Sequence, residues 1–422
     1  MKLRSLHVVI FSLFLFQLNL FSLARESNSG ADELLKTRLF ISDGIKFAKS
    51  KKFALAREKF SEALSRWQSH RDALLYLKII DDMENGIIKK KTAQEAFKSV
   101  HEDIQSKHKK ALKKIDKIIK KDQDYYPLHI IRAEILNNSD KTEEAQTEYD
   151  SAIALAEESA LPYLFRGKFW VSSYVRTKGI DDFSKAITLE PGTALGFFER
   201  GFTYCLLSKY DRAIRDFEIA IKQYPQWEKS AIVHEAFHNR GVERIRKKSY
   251  RSAIKDFKRS IKITPEYLNA YLNRGIAYRH LKYYKKATQD FRYCIEQDAD
   301  FKDAYYQRAL MNYDRGRYQT AIGDLKKMVA LEPDNKKMHF KLAECYHKLG
   351  RNKQAIASFN KVIQIDPKHY WAYYWKGFTY QDLKNTKRAI AAFEKFLALA
   401  PKRYYKQKLH AEVEIKKLAG KK

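Results

Sequence analysis

The hydrophobic positions between residues 160 and 403 recur with a period of 34 residues. In frames that begin at residues 160, 194, 234, 268, 302, 336 and 370, mostly apolar or small side chains occupy positions 4, 8 and 11, and again positions 20, 24 and 27. Steps of four and three residues place each trio on one face of an α-helix. Every frame is therefore predicted to form two amphipathic helices.

Three columns of the repeat indicate how the two helices meet. Position 8 is Gly or Ala in all seven frames, position 20 is Ala in six, and position 24 is Phe in six; the frame from 268 has Gly275, Ala287 and Phe291. Small side chains allow the two helices to approach closely, and the aromatic ring fills the space beside them. Proline at position 32, as in Pro367, disfavours helix at the preceding residue and ends the second helix.

These residues resemble the tetratricopeptide repeat family. The segments Asn239-Arg240-Gly241 and Asn273-Arg274-Gly275, each followed by an Ala-x-x-x-Phe step, look like its bacterial-type variants. The resemblance implies an all-α, right-handed superhelical solenoid of helix-turn-helix repeats, whose first helices line a concave groove. The chain departs from the family at position 7, which is often Arg where the family more often has Leu.

The pattern divides the chain into five segments. Residues 71–91 fit no frame, and they are predicted to form either an extra helix or a degenerate repeat. In the last segment Leu409, Val413 and Leu418 are predicted to be the apolar side of the capping helix. The segments are a signal peptide at 1–24, a linker at 25–36, degenerate repeats at 37–159, seven repeats at 160–403 with an insertion at 228–233, and a capping helix with a basic tail at 404–422.

The first residues are typical of a secretory signal. Lys2 and Arg4 precede an apolar run from residue 8 to 21, and small residues suited to cleavage follow at Ser22 and Ala24. The run is shorter than the ~20 residues that a membrane-spanning helix needs, which favours a cleaved signal over an uncleaved anchor. We therefore expect export to the periplasm or beyond the cell, in a bacterial envelope setting.

The net charge of +31 changes the range of expected partners. Such a charge attracts acidic proteins, phospholipid headgroups, anionic glycans and nucleic acid, and export makes nucleic acid the least suitable of these. The lysine-rich stretch 107–121 could lie on an anionic membrane surface. Because Ala111, Ile115 and Ile118 keep the repeat register, the solvated outer face of a repeat helix is the favoured interpretation.

The groove positions of the first helices predict an aromatic-rich surface with scattered cations. Aromatic side chains and Arg dominate binding hot spots, so we expect a protein or extended peptide with apolar anchors and some acidic residues. The alternative is that several of these side chains pack between neighbouring repeats. The candidates are Phe198, Phe202, His238, Asn239, Asn273, Arg279, Tyr306, Tyr313, Phe340, Lys341, Tyr374, Trp375 and Phe378.

One string of residues raises an enzymatic alternative. His234-Glu235-Ala236-Phe237-His238 has the H-E-x-x-H spacing of zinc hydrolases, with Glu235 as the general base. The third ligand of the longer zincin pattern would fall on Arg244, a cation. Cys205, Cys294 and Cys345 have no metal-knuckle spacing and are interpreted as small buried hydrophobes.

The sequence as a whole predicts an exported scaffold that binds a protein partner, with no catalytic residues, bound metal or cofactor. A charge-driven binder of anionic lipid, glycan or host matrix is the alternative, and a zinc hydrolase is a remote one.

Overall fold

The computed structural model describes residues 28–66 and 71–420, which form α-helices and two short 3-10 helices without any strand. The predicted signal peptide lies outside the described residues. Among the described residues, no helix is long and apolar enough to span a bilayer. The α-helices of this part of the chain are α1 Asn28–Lys49, α2 Phe53–Arg66, α3 Arg71–Glu84, α4 Lys90–Ile104, α5 His108–Ile119, α6 Tyr126–Asn138, α7 Thr142–Leu155, α8 Ala160–Ser172, α9 Arg176–Leu189, α10 Ala194–Leu206, α11 Tyr210–Gln223, α12 Ala231–Arg246, α13 Tyr250–Ile263, α14 Leu268–His280, α15 Tyr284–Gln297, α16 Lys302–Asp314, α17 Tyr318–Leu331, α18 Lys336–Lys348, α19 Asn352–Ile365, α20 Tyr370–Asp382, α21 Thr386–Leu399 and α22 Tyr405–Leu418.

The helices belong to two compact units. Unit 1 comprises residues up to 240 together with 262–264, and unit 2 comprises residues 241–261 and 265–422. The division falls inside α12. A 3-10 helix at Pro225–Lys229 occupies the start of the predicted insertion, after which α12 begins at Ala231.

A left-handed residue at position 15 forms the turn between the two helices of each frame. At the end of α14, Lys282 has φ of 61°, and the N–H of Tyr283 donates to the carbonyl of Tyr278 at 2.8 Å. This is the backbone arrangement of a Schellman cap. Frames that begin at 37, 92 and 126 carry the same feature at Lys51, Ser106 and Asp140. The pairs α1–α2, α4–α5 and α6–α7 therefore share the turn of the later repeats.

Position 8 requires a small residue because the ring at position 24 packs directly on it. A Cβ built on Gly275 would lie 2.6 Å from Cε1 of Phe291, and one on Gly377 would lie 2.5 Å from Cε1 of Phe393. Both rings are fully buried. Contacts of this kind recur from frame to frame and form the interior of each unit.

The arginine at position 7, which departs from the family pattern, forms an ion pair with position 23 of the same frame. In the frame from 302, Arg308 donates from Nε and Nη2 to the two carboxylate oxygens of Asp324 at 2.9 and 2.6 Å. The guanidinium carbon also lies 5.8 Å from the centre of the Tyr305 ring at position 4. The same pair joins Arg166 to Asp182, Arg200 to Asp216, and Arg274 to Asp290.

The region that fits no frame contains one unpaired helix, α3. It packs against α2, α4 and α8 within unit 1. Its Ala73, Ile79 and Ile80 are fully buried. The region therefore contributes an extra helix between the pairs α1–α2 and α4–α5.

The predicted apolar side of the capping helix is wrong for two of its three residues. Leu409 and Val413 are exposed, at 59% and 39%, whereas Leu418 packs against the neighbouring core cluster. Helix α22 instead buries Ala411 and Glu414, whose carboxylate accepts a hydrogen bond from Gln381 at 2.8 Å. Since a polar contact helps to fix the rotation of α22, hydrophobicity alone misidentified its inner face.

Candidate partner-binding groove

The first helices of the repeats line the inner side of unit 2. Consecutive first helices approach one another, as α14 does α16 and α18 does α20, while each second helix packs between two first helices. Side chains at positions 5, 6, 9 and 12 of the first helices therefore share one surface. This surface is called the unit 2 groove below.

Position 5 contributes a row of large side chains to the unit 2 groove. Tyr306 and Phe340 are half-buried, while Tyr374 is 7% exposed. The Phe340 ring meets Phe359 edge-on at 5.8 Å between centroids, so one side of it belongs to the core of its own repeat. The row combines packing with an accessible aromatic surface.

Positions 12 and 6 link each repeat of the groove to the next. Arg279 donates from Nη1 to Oε1 of Gln307 at 2.8 Å. One repeat later, Lys341 Nζ lies 4.3 Å from the centre of the Tyr313 ring. In the following step the rings of His347 and Trp375 lie 5.7 Å apart. These predicted groove residues therefore form contacts between repeats as well as surface.

Arg279 and Lys341, the cations of the unit 2 groove, each have a nearby anionic partner. Arg279 lies 3.4 Å from Asp314, and Lys341 lies 2.7 Å from Glu344. Burial lowers the pKa of His347, which favours its neutral form. The groove thus offers aromatic surface with largely balanced charge, rather than a cationic track for an acidic peptide.

Helix α22 covers the last part of the groove. The hydroxyl of Tyr374 lies 2.9 Å from Nδ1 of His410, and the Phe378 ring stacks on the same imidazole at 5.5 Å. Trp375 and the residues of the preceding repeats lie outside this cover. Asn273, at position 6 of the frame from 268, is half-buried at the other end of the row.

The four candidates in unit 1 do not form an open row. Phe198 is buried against Trp227, with ring centroids 4.8 Å apart. Phe202 lies beneath Lys168, whose Nζ is 5.1 Å from the ring centre. His238 is 9% exposed and lies 3.2 Å from the side-chain oxygen of Asn239. Phe198 is therefore a packing residue, in line with the alternative interpretation of the groove aromatics.

Helix α3 fills the inner side of unit 1. Arg71 donates from Nη2 to Glu134 on α6 at 2.8 Å, and its guanidinium carbon lies 4.8 Å from the centre of the Phe165 ring on α8. Tyr125 donates to Asp82 of α3 at 2.8 Å. Glu134 and Phe165 stand at groove positions 9 and 6 of their frames. Helix α3 therefore covers the side of unit 1 that corresponds to the open groove of unit 2.

The H-E-x-x-H string lies on α12 as part of the repeat. Burial, with a smaller contribution from His238, lowers the pKa of His234 to about 4. Within residues 28–66 and 71–420, no cluster of three or more His, Cys, Asp or Glu side chains could hold a metal ion. The arrangement supplies two histidines without the third ligand that a zinc hydrolase uses.

Sequence comparison identifies the fold family. Two tetratricopeptide repeat profiles match the chain, one at residues 234–267 and 268–301 and another at 196–226. The chain is a tetratricopeptide repeat protein. The profile described as "Anaphase-promoting complex, cyclosome, subunit 3" also matches, at residues 292–362 and 314–396. The predicted all-α repeat fold is thus confirmed.

Solved structures resemble parts of the chain. A crystal structure of MamA is 24% identical, covers 39% of this chain and 90% of its own, and has a TM-score of 0.37. MamA from Desulfovibrio magneticus RS-1 is 20% identical, with 39% and 94% coverage and a TM-score of 0.38. The C-terminal part of a TPR repeat-containing protein from Cytophaga hutchinsonii is 18% identical, with 56% and 95% coverage and a TM-score of 0.46. A search of curated proteins returned no match.

Family membership establishes a general function. Tetratricopeptide repeats bind protein partners, so this chain is a protein–protein interaction scaffold. Such scaffolds are typically non-catalytic.

Proposed function

We propose that the chain is an exported scaffold that holds an extended peptide segment of a protein partner in the unit 2 groove. The observation that supports this most directly is the set of partly exposed aromatic side chains in the unit 2 groove, which includes Tyr306, Tyr313, Phe340 and Trp375. Large aromatic side chains bury much area at low entropic cost, which suits them to binding apolar anchors.

The charge pattern of the groove refines the chemistry of the partner. Arg279 and Lys341 already pair with Asp314 and Glu344, and a partner's carboxylates would have to compete with these groups. We therefore propose recognition through apolar anchors and backbone hydrogen bonds, with a weak dependence on salt. The sequence analysis led us to expect acidic residues in the partner, and we propose that such residues add little to binding.

Peptide selection tests the groove directly. Peptides selected from a random displayed library against the mature chain are synthesised, and their affinities are measured by fluorescence anisotropy. Trp375→Ala should weaken binding by more than about tenfold, as loss of a hot-spot aromatic does. Tyr283→Ala is the matched control, because Tyr283 is 48% exposed and lies in the turn between α14 and α15, outside the groove.

Two results would contradict the groove proposal. One is equal weakening by Trp375→Ala and Tyr283→Ala, and the other is release of the peptides by moderate salt. Thermal melting of each variant, followed by far-UV circular dichroism, controls for loss of fold.

We also propose export, which rests on Lys2, Arg4 and the apolar run before Ala24. The intact mass of the chain recovered from its native cell tests this. A mass that corresponds to a start at Arg25 supports cleavage of the signal, whereas a retained N-terminus argues for an anchor.

A further inference from the structure

The outer side of unit 2 is strongly cationic. There the second helices α13, α15, α17, α19 and α21 expose cationic side chains to solvent, and the only exposed carboxylates on these helices within the unit are Glu296 and Glu394. The eleven exposed cations are Arg251, Lys255, Lys258, Lys285, Lys286, Arg292, Lys326, Lys353, Lys387, Arg388 and Lys395. None of the eleven forms an ion pair with another described residue.

Unit 1 supplies an internal comparison. Its second helices α7, α9 and α11 expose a balanced mixture of charges. On these three helices the exposed cations are Lys178, Lys185, Arg212, Arg215 and Lys222, and the exposed carboxylates are Glu143, Glu144, Asp150, Asp181, Asp211 and Glu218. Helix α5, in the lysine-rich stretch found by sequence, resembles the helices of unit 2 instead. The cationic outer side is therefore a property of unit 2 and not of every second helix.

The other carboxylates of the unit 2 second helices are buried. Asp290 and Asp324 are 5% and 6% exposed, and each is held by the position 7 arginine of its own frame. They cannot neutralise the lysines on the opposite side of the same helices at short range. The charge that these second helices present to solvent is therefore mainly positive, while the groove on the first helices stays balanced.

The shape of this cationic surface favours a broad anionic target. The cations lie on five successive second helices of 14 residues, each about 20 Å long. The charges therefore cover an area several helices wide rather than a single line. Clusters of Lys and Arg on a surface are attracted to anionic lipid headgroups.

We propose that unit 2 docks on an anionic phospholipid bilayer through the outer side of its second helices. Docking leaves the groove on the first helices free, so the site is independent of the proposed peptide binding. The scaffold would thereby hold its partner beside a membrane surface.

Vesicle co-sedimentation tests the proposal with the mature chain. Vesicles of phosphatidylcholine with about one-third phosphatidylglycerol should bind it, while phosphatidylcholine alone should not. The triple variant Lys255→Glu, Lys258→Glu and Arg292→Glu should weaken binding by more than about tenfold. Its matched control changes net charge equally in unit 1, through Lys185→Glu, Arg215→Glu and Lys222→Glu, and should weaken binding by less than about threefold.

The salt dependence of binding tests the electrostatic mechanism. The fraction of the chain bound to the anionic vesicles should fall as the salt concentration rises, because salt screens the attraction between charges. Thermal melting and binding of a groove-selected peptide show that each variant is folded.

Three outcomes would overturn the proposal. Equal loss in the two triple variants would mean that net charge acts without a defined surface. Vesicle binding that persists unchanged at high salt would mean that the cations of the second helices do not supply the attraction. Binding to heparin or DNA without binding to the anionic vesicles would identify a soluble polyanion as the partner of this surface.

Discussion

The ion pair between positions 7 and 23 makes a sharp prediction about stability. Arg274 donates to both carboxylate oxygens of Asp290, at 3.0 and 2.7 Å. The Asp290 side chain is 6% exposed and that of Arg274 is 18% exposed. The substitution Arg274→Leu removes the cation and leaves the carboxylate between α14 and α15.

The size of the effect follows from that burial. Breaking a buried pair on one side costs about 3 to 5 kcal/mol, and the partial exposure of Arg274 places the expected loss near the lower end, at about 3 kcal/mol. One repeat of the chain lacks both members of the ion pair, because the frame from 336 carries Leu342 and Ser358 at the same two positions. The double variant Arg274→Leu/Asp290→Ser should therefore lie within about 1 kcal/mol of the native chain.

The pH dependence of the single variant provides an independent check. Burial raises the pKa of Asp290, and Arg274 opposes that rise. Without Arg274 the folded-state pKa rises further, so the folded chain binds a proton more tightly than the unfolded chain does. The free energy of unfolding of Arg274→Leu should thus increase as pH falls through that pKa. Its deficit relative to the native chain should therefore shrink as the pH is lowered from neutral toward the ordinary pKa of an aspartate.

Hydrogen exchange measured by mass spectrometry is the suitable assay, because repeat arrays open locally rather than in one two-state transition. Faster exchange in α14 and α15 of Arg274→Leu, restored by the second substitution, is the expected result. A double variant that exchanges as fast as the single one would refute the reasoning, as would a deficit that does not change with pH.

Two further predictions concern the turns and the thiols. Gly316→Ala should lower the free energy of unfolding by about 1 kcal/mol, because Gly316 has φ of +71°, which strains any residue with a Cβ. Gly323→Ala should raise it by up to about 1 kcal/mol, because Gly323 lies inside α17 with open space around it and Ala has the higher helix propensity. Thermal melting of the two variants checks both signs. Burial raises the pKa of Cys205, Cys294 and Cys345 to about 12, so a disulfide reagent should leave the native thiols unmodified at pH 8 and modify all three after denaturation.

The repeat fold could be predicted because its decisive contacts are local and recur. Gly275 and Phe291 lie 16 residues apart and touch within one frame, and the same contact recurs between Gly377 and Phe393. A contact that recurs at a fixed spacing leaves a column in the sequence. Periodicity can therefore reveal it without any knowledge of the structure.

Helix α3 could not be placed for the opposite reason. Its bond from Arg71 to Glu134 spans 63 residues and occurs once. Such a contact leaves no column, and the hydrophobic pattern of α3 is equally compatible with a degenerate repeat. The orientation of α22 was missed in the same way, because the bond from Gln381 to Glu414 has no counterpart elsewhere in the repeats.

The groove candidates show where frame position stops being informative. Phe198 and Phe340 both stand at position 5, yet Phe198 is buried and Phe340 is half-buried. The difference comes from Trp227, in the 3-10 helix beside the insertion, whose ring covers Phe198 at 4.8 Å. Accessibility at a given position depends on neighbours outside the repeat register, so the frame can propose groove residues without determining which are exposed.

The ion pairs were within reach of the sequence, although a single column does not reveal them. Position 7 considered alone is a departure from the family. Considered with position 23 it becomes a rule: the five frames from 160 to 302 have Arg and Asp together, whereas the frames from 336 and 370 have Leu with Ser and Lys with Ala. Two positions that change together across repeats of one chain indicate a contact, in the way that covarying positions do across relatives. The bonds from Arg274 to Asp290 and from Arg308 to Asp324 are that contact. Repeat proteins therefore carry covariation inside one sequence, and the frame from 336 serves as a natural double variant of the frame from 268.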